Sequence, residues 1–195
     1  MMHVFGTLAT LTCLIQFLSV FFVFKKVEST GNTRYRIFQV QFLSTWGYFF
    51  SLLYREGVPG TPIVAGVSSM IILACMALFF HCSSLIRKNK LSIVFSEDSP
   101  QFHISKGPYS CVRHPFYTSY IFTYVAVAMV MQSWILTAMA CSMFVTYYLA
   151  ARYEESKFLN SNLKDSYRAY MDKTGMFFPK WALNRDASEP YSKVS

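Results

Sequence analysis

The stretch Pro115–Ala151 runs for 37 residues without one Asp, Glu, Lys or Arg, and that feature excludes most folds. A single helix of this length would reach about 55 Å, against an apolar membrane core of about 30 Å. Gln132 and Ser133 stand near its middle. The stretch is therefore expected to fold as a hairpin of two short helices, over about 115–131 and 134–151.

Three more uncharged stretches precede it: Met1–Phe24, Ile37–Tyr54 and Gly57–Ile86. Each approaches the roughly 20 apolar residues that a spanning helix needs, and Pro59, Gly60 and Pro62 mark a turn between the second and third. Five spans result, over about 1–24, 37–54, 62–86, 115–131 and 134–151. The predicted fold class is an all-α integral membrane protein. Cations arbitrate the topology. Lys and Arg number four in Lys25–Arg36, one at Arg55, five in Arg87–Arg113 and eight in Arg152–Ser195. With five spans, alternate loops hold 17 of the 18, a strong positive-inside asymmetry. A single long helix at 115–151 would put the last eight on the wrong side. The N-terminus is expected outside and the C-terminus in the cytosol, in either a bacterial inner membrane or the endoplasmic reticulum.

Composition agrees. Charged residues make up 14% of the chain, against roughly 25% in soluble domains. A net charge of +8 raises nucleic acid as a partner, but the cations flank apolar spans, so none is expected. The five cysteines form no CxxC pair or zinc-finger spacing; neither disulfides nor a metal site is expected. The N-terminus lacks a basic leader region and a small-residue cleavage site, so its apolar stretch reads as a retained helix. The organisation is then three N-terminal spans in 1–86, a catalytic region in 87–183 and a disordered tail in 184–195. Within the catalytic region, Leu91–Phe95 and Phe102–Ile104 read as short extended pieces. Arg152–Met171 reads as a helix continuing the last span, with Tyr167 and Tyr170 on one face. Thr174–Gly175 ends it, and Phe177–Phe178–Pro179 returns to the membrane surface.

Two polar clusters carry the chemistry. The first is Gly107–Tyr117. Pro115 suits the first position of a helix, where no N–H is needed, so Arg113 and His114 sit at the start of span 4. Free N–H groups and the positive helix end favour an anion there, and Tyr117 lies one turn in. The second cluster is Arg152-Tyr153-Glu154-Glu155, at the cytosolic end of span 5. Tyr148, Arg152 and Glu155 follow i, i+4, i+7 spacing and are expected on one face. A hairpin brings both clusters to one membrane interface, where cations face a carboxylate and carboxylates face an ammonium. That combination suits an amino-acid zwitterion. Plainer readings exist: Arg113 and Arg152 as positive-inside anchors, the tyrosines as an interfacial belt, and the glutamates as a solvated helix end.

With these motifs the sequence resembles the isoprenylcysteine carboxyl methyltransferase family, of the superfamily that includes phospholipid N-methyltransferases. The pattern is GPYxxVRHPxY at Gly107–Tyr117, the paired Glu154–Glu155, then Tyr167, Tyr170, Thr174, Phe177 or Phe178, and Pro179. It covers about residues 87–181. The resemblance implies S-adenosylmethionine in a cytosolic pocket, with a lipophilic acceptor entering from the bilayer. Gln101, Phe102, His103, Ile104 and Tyr109 would line the cofactor site. Arg113, His114, Pro115, Phe116 and Tyr117 would cradle it, and Glu155 would hold its amino group. Arg152 would orient the acceptor, although Ala151 occupies the place where the family carries that arginine. Arg152, Glu155 and Tyr117 are thus the candidate catalytic residues. The acceptor is expected to be a prenylcysteine-type carboxylate; the alternatives are a phospholipid, or a small lipophilic amine or thiol. A nicotinamide-dependent lipid reductase on a related scaffold, or a non-enzymatic membrane protein, are the competing classes. Methyl transfer from a sulfonium is a direct displacement governed by alignment and desolvation.

Overall fold

The computed structural model describes residues 6–12, 14, 33–89 and 104–180, with side chains for all but 33–38 and 87–89. Among them the fold is helical throughout, with no strand. α1 is helical over 6–12. It is followed by α2 (Thr33–Glu56), α3 (Pro62–Asn89), a 3-10 turn at Gly107–Ser110, α4 (Pro115–Met131), α5 (Trp134–Leu159) and α6 (Lys164–Lys173). The expected extended piece at Leu91–Phe95, residues Gln101, Phe102 and His103, and the tail 184–195 lie outside the described residues.

α4 is the centre of the bundle, buried on nearly every side. α3 presents it a seam of Ala65, Ser68, Ile72, Cys75, Phe79, Cys82 and Ile86. Their alternating three- and four-residue spacing keeps one face of a helix against its neighbour. α5 packs along another side of α4 through Leu136, Met143, Tyr147 and Ala151. α2 closes the bundle with Trp46, whose ring centroid stands 6.0 Å from that of Tyr124. Polar groups also join α2 to α5: Gln41 Nε2 donates to Ser142 Oγ at 2.6 Å, and Thr146 Oγ1 donates to Gln41 Oε1 at 2.8 Å. Such amide–hydroxyl bonds between apolar helices fix which faces meet.

By length and composition, Pro62–Ile86 and Trp134–Leu159 are long and apolar enough to cross a membrane; α4 is apolar but shorter. The uncharged 37-residue stretch breaks at the polar pair near its middle, Gln132 and Ser133. Gln132 adopts a left-handed conformation (φ 50°, ψ 30°), and Ser133 caps α5 by accepting from Leu136 N. Gly60, in the turn before α3, lies against the far end of α4; a Cβ there would stand 2.7 Å from Val130 O.

The helical segment after the last apolar stretch differs from the sequence expectation. Arg152–Met171 is not one helix: α5 ends at Leu159 and α6 begins at Lys164. Ser161 Oγ bonds Phe158 O at 2.8 Å and accepts from Leu163 N at 3.2 Å. Ser and Asn side chains compete with the helix for backbone partners in this way. The break lets α6 fold back, so that the Tyr167 ring stacks on Phe158 at 4.4 Å.

Candidate functional site

The site is built where the start of α4 meets the end of α5. Pro115 opens α4, which leaves Arg113 and His114 on the segment entering it, beside the buried side chain of Glu155. Arg113 Nε donates to Glu155 Oε1 at 2.7 Å, and His114 Nε2 lies 3.2 Å from the same oxygen. The other imidazole nitrogen, Nδ1, is 3.4 Å from Glu154 Oε2. Tyr117 Oη donates to Glu154 Oε1 at 2.7 Å. The His114 and Tyr117 rings are nearly parallel at 5.4 Å, and Tyr147 stacks on Tyr117 at 5.2 Å.

Burial acts to lower the His114 pKa, but hydrogen bonds to Glu154 and Glu155 and the charges of both carboxylates outweigh it and hold the pKa above its ordinary value. With both ring nitrogens facing carboxylate oxygens, the imidazolium is the form that satisfies each contact. Two cations and two carboxylates therefore balance within the network.

A strap after α6 fixes this arrangement from the other side. Arg113 N donates to Gly175 O at 2.8 Å, His114 N to Met176 O at 3.1 Å, and Gly175 N to Cys111 O at 3.3 Å. The Arg113 guanidinium also reaches the carbonyls of Thr174 and, at 3.4 Å, Met171. Thr118 Oγ1 bonds Phe177 O at 3.1 Å. Tyr167 and Tyr170 are both buried on the inner face of α6, and Tyr170 Oη donates to Tyr109 O at 2.6 Å. Burial, opposed by Arg113 and a Thr174 hydrogen bond, pushes the Tyr170 phenol up to about 12, so it stays a donor at neutral pH.

Of the sequence candidates, Arg113, His114, Tyr117 and Glu155 come together, with Pro115 and Phe116 buried beside them. Ile104 and Tyr109 are half-buried against the core, and Tyr109 is joined to the site through Tyr170. Two expectations change. The helix start does not hold its cations free for an external anion, because Arg113 is engaged by Glu155 and by strap carbonyls. Nor does Arg152 share the surroundings of Glu155: Tyr148 and Arg152 are exposed, whereas Tyr147, Ala151 and Glu155 are buried. Spacing of i, i+4, i+8 stacks those three toward α4; Arg152 lies one residue round the helix. Glu154, for which the sequence leaves open a solvated helix end or a proton acceptor for an amine, is the partner of both His114 and Tyr117. Its signal was the i, i+3 pairing of His114 with Tyr117, which puts both on one face.

The family model for phospholipid methyltransferases matches residues 62–166, more than half of the chain. The chain belongs to that family. As a phospholipid methyltransferase family member, within the superfamily shared with isoprenylcysteine methyltransferases, it is a membrane methyltransferase that acts on lipid substrates. The match begins at α3, so this helix belongs to the family region although the sequence motifs started only after it. None of the curated proteins matches the chain. Among the described residues no His, Cys, Asp and Glu group has the makings of a metal site.

Proposed function

We propose that the protein transfers a methyl group from S-adenosylmethionine to the amine of a lipid head group at the cytosolic face of a membrane. The observation that carries the cofactor reading is Glu155 Oε2, a buried carboxylate oxygen with no hydrogen-bond partner among the described residues. A buried acceptor left unpaired is costly, and an ammonium is the ligand that would satisfy it. The amino end of S-adenosylmethionine fits there, with His114, Pro115, Phe116 and Tyr117 as the cradle and Ile104 and Tyr109 along the nucleoside. Its carboxylate would be left to the backbone at the start of α4, since Arg113 is committed. When bound, the cofactor supplies an electrophilic methyl on sulfur. The protein holds it against the acceptor and excludes water.

The acceptor class follows from the cations. A prenylcysteine-type carboxylate needs a free cation beside the glutamates. Arg113 is engaged by Glu155, and Arg152 lies on a different face of α5. An amine instead meets Glu154, whose side chain is 21% exposed. Arg152, exposed at the same helix end, is then assigned the phosphate of the head group, for which its planar fork is suited. Five spans, with the N-terminus outside and the C-terminus cytosolic, give a catalytic region in 87–183 that opens to the inner leaflet. Isothermal titration of the purified protein should show micromolar binding of S-adenosylhomocysteine and none of NADPH. The reverse preference would replace this reading with a reductase, and binding of neither would remove the cofactor assignment.

A further inference from the structure

We propose that Glu154 accepts the proton that an amine acceptor must lose before methyl transfer, with Tyr117 fixing the carboxylate for that task. This rests on the methyltransferase reading above.

An ammonium has no lone pair, so an amine lipid cannot attack until one N–H bond is broken. Three features single out Glu154. It is the site carboxylate that reaches the rim: its side chain is 21% exposed, against 2% for Glu155. Its Oε1 is held by the Tyr117 hydroxyl at 2.7 Å, which aims the group. Its Oε2 faces His114 Nδ1 only at 3.4 Å, a long contact that leaves this oxygen the freer of the two. Among the described residues, these groups face it. Tyr117 approaches from α4 and His114 from the segment before it, while Tyr109 of the 3-10 turn and Tyr167 of α6 sense its charge. Arg113 is spent on Glu155, so the cation that faces Glu154 is the His114 imidazolium, at the longer distance of 3.4 Å.

The step balances. The acceptor ammonium gives one proton to Glu154 Oε2, so an N–H bond breaks and an O–H bond forms. The freed nitrogen lone pair then forms the new N–C bond to the sulfonium methyl, and the C–S pair returns to sulfur. The products are a methylammonium lipid, a neutral thioether and a protonated Glu154, which returns its proton to water at the exposed rim. In water an ammonium near pKa ~10 keeps its proton against a carboxylate near ~4. Loss of water around the amine as the lipid docks disfavours its charged form and promotes the transfer.

Glu154→Gln keeps an oxygen acceptor for Tyr117, so a merely structural role survives in it. Methylation of an amine phospholipid at pH 7 should fall by about 100-fold, the lower end for lost acid–base catalysis. The deficit should shrink about tenfold per pH unit toward the amine's own pKa, where free amine becomes available. Affinity for a fluorescent trimethylammonium-headed lipid, which has no proton to lose, should drop about tenfold by anisotropy, as when one partner of a charge pair is removed. S-adenosylhomocysteine affinity should stay within about threefold of wild type, which also reports that the variant is folded. Glu154→Asp should recover part of the rate with the wild-type pH profile. Wild-type activity and pH profile in Glu154→Gln would overturn the proposal and leave the methyltransferase reading standing. Loss of S-adenosylhomocysteine binding in that variant alone would overturn it by placing Glu154 in the cofactor pocket. A wild-type protein that binds no S-adenosylhomocysteine would overturn the underlying reading first.

Discussion

Gly175→Ala should lower the melting temperature of the detergent-solubilised protein by about 6–12 °C, the size expected for roughly 3 kcal/mol in a chain of this length. A Cβ on Gly175 would stand 1.6 Å from Phe178 O and 2.8 Å from its carbonyl carbon. Both are backbone atoms, so no flexible side chain can yield and the strap itself must move. That strap supplies the carbonyls that accept from Arg113 N, His114 N and Thr118 Oγ1. Each bond lost costs about 1 kcal/mol, and more where a buried donor is left unpaired. Cofactor affinity should fall with stability, because the backbone that presents His114 is released. Gly47→Ala is the control, since nothing lies within 4 Å of a Cβ there. Equal melting temperatures for Gly175→Ala and Gly47→Ala would mean that the strap does not hold the site.

Glu155→Gln should reduce S-adenosylhomocysteine binding by about 100-fold or more and destabilise the protein by about 3 kcal/mol. Arg113 and Glu155 have side chains only 8% and 2% exposed, and removing one partner of a buried pair leaves an uncompensated charge. Here the Arg113 guanidinium and the His114 imidazolium would both face a neutral amide where they now share a carboxylate oxygen. The two losses can be separated. Replacing Arg113 and Glu155 together by Met should restore much of the stability, since a buried ion pair is often dispensable when both partners go. It should not restore binding, because the unpaired Oε2 that we assign to the cofactor's ammonium is gone. Full ligand affinity in the double variant would show that Glu155 is a structural partner of Arg113 and nothing more.

The helical class and the hairpin at 115–151 were legible because both rest on strong local signals: unbroken apolar runs, and two polar residues placed mid-run. The gathering of His114, Tyr117 and Glu155 was legible for the same reason, since a hairpin returns its two ends to one level. What could not be read was azimuth. Arg152 and Ala151 differ by one position, which is 100° around a helix, and only packing against α4 decides which of them faces inward. The interruption at residues 160–163 was hidden as well. Asn160, Ser161 and Asn162 are individually compatible with a helix, and the gain that bends the chain is the distant stacking of Tyr167 on Phe158. Arg113 was read as a free cation because its partners, Glu155 and the carbonyls of Met171 and Thr174, lie 42 or more residues away in sequence.

Membranes carrying the protein, incubated with S-adenosylmethionine labelled in its methyl group, test the whole proposal at once when the lipid extract is then treated with base. Label retained in a non-volatile methylated amine head group after that treatment, and about 100-fold lower with Glu154→Gln at neutral pH, is the predicted result. Label released by base as methanol would identify a carboxyl ester and contradict an amine acceptor, and no label above membranes lacking the protein would contradict methyl transfer to lipid altogether.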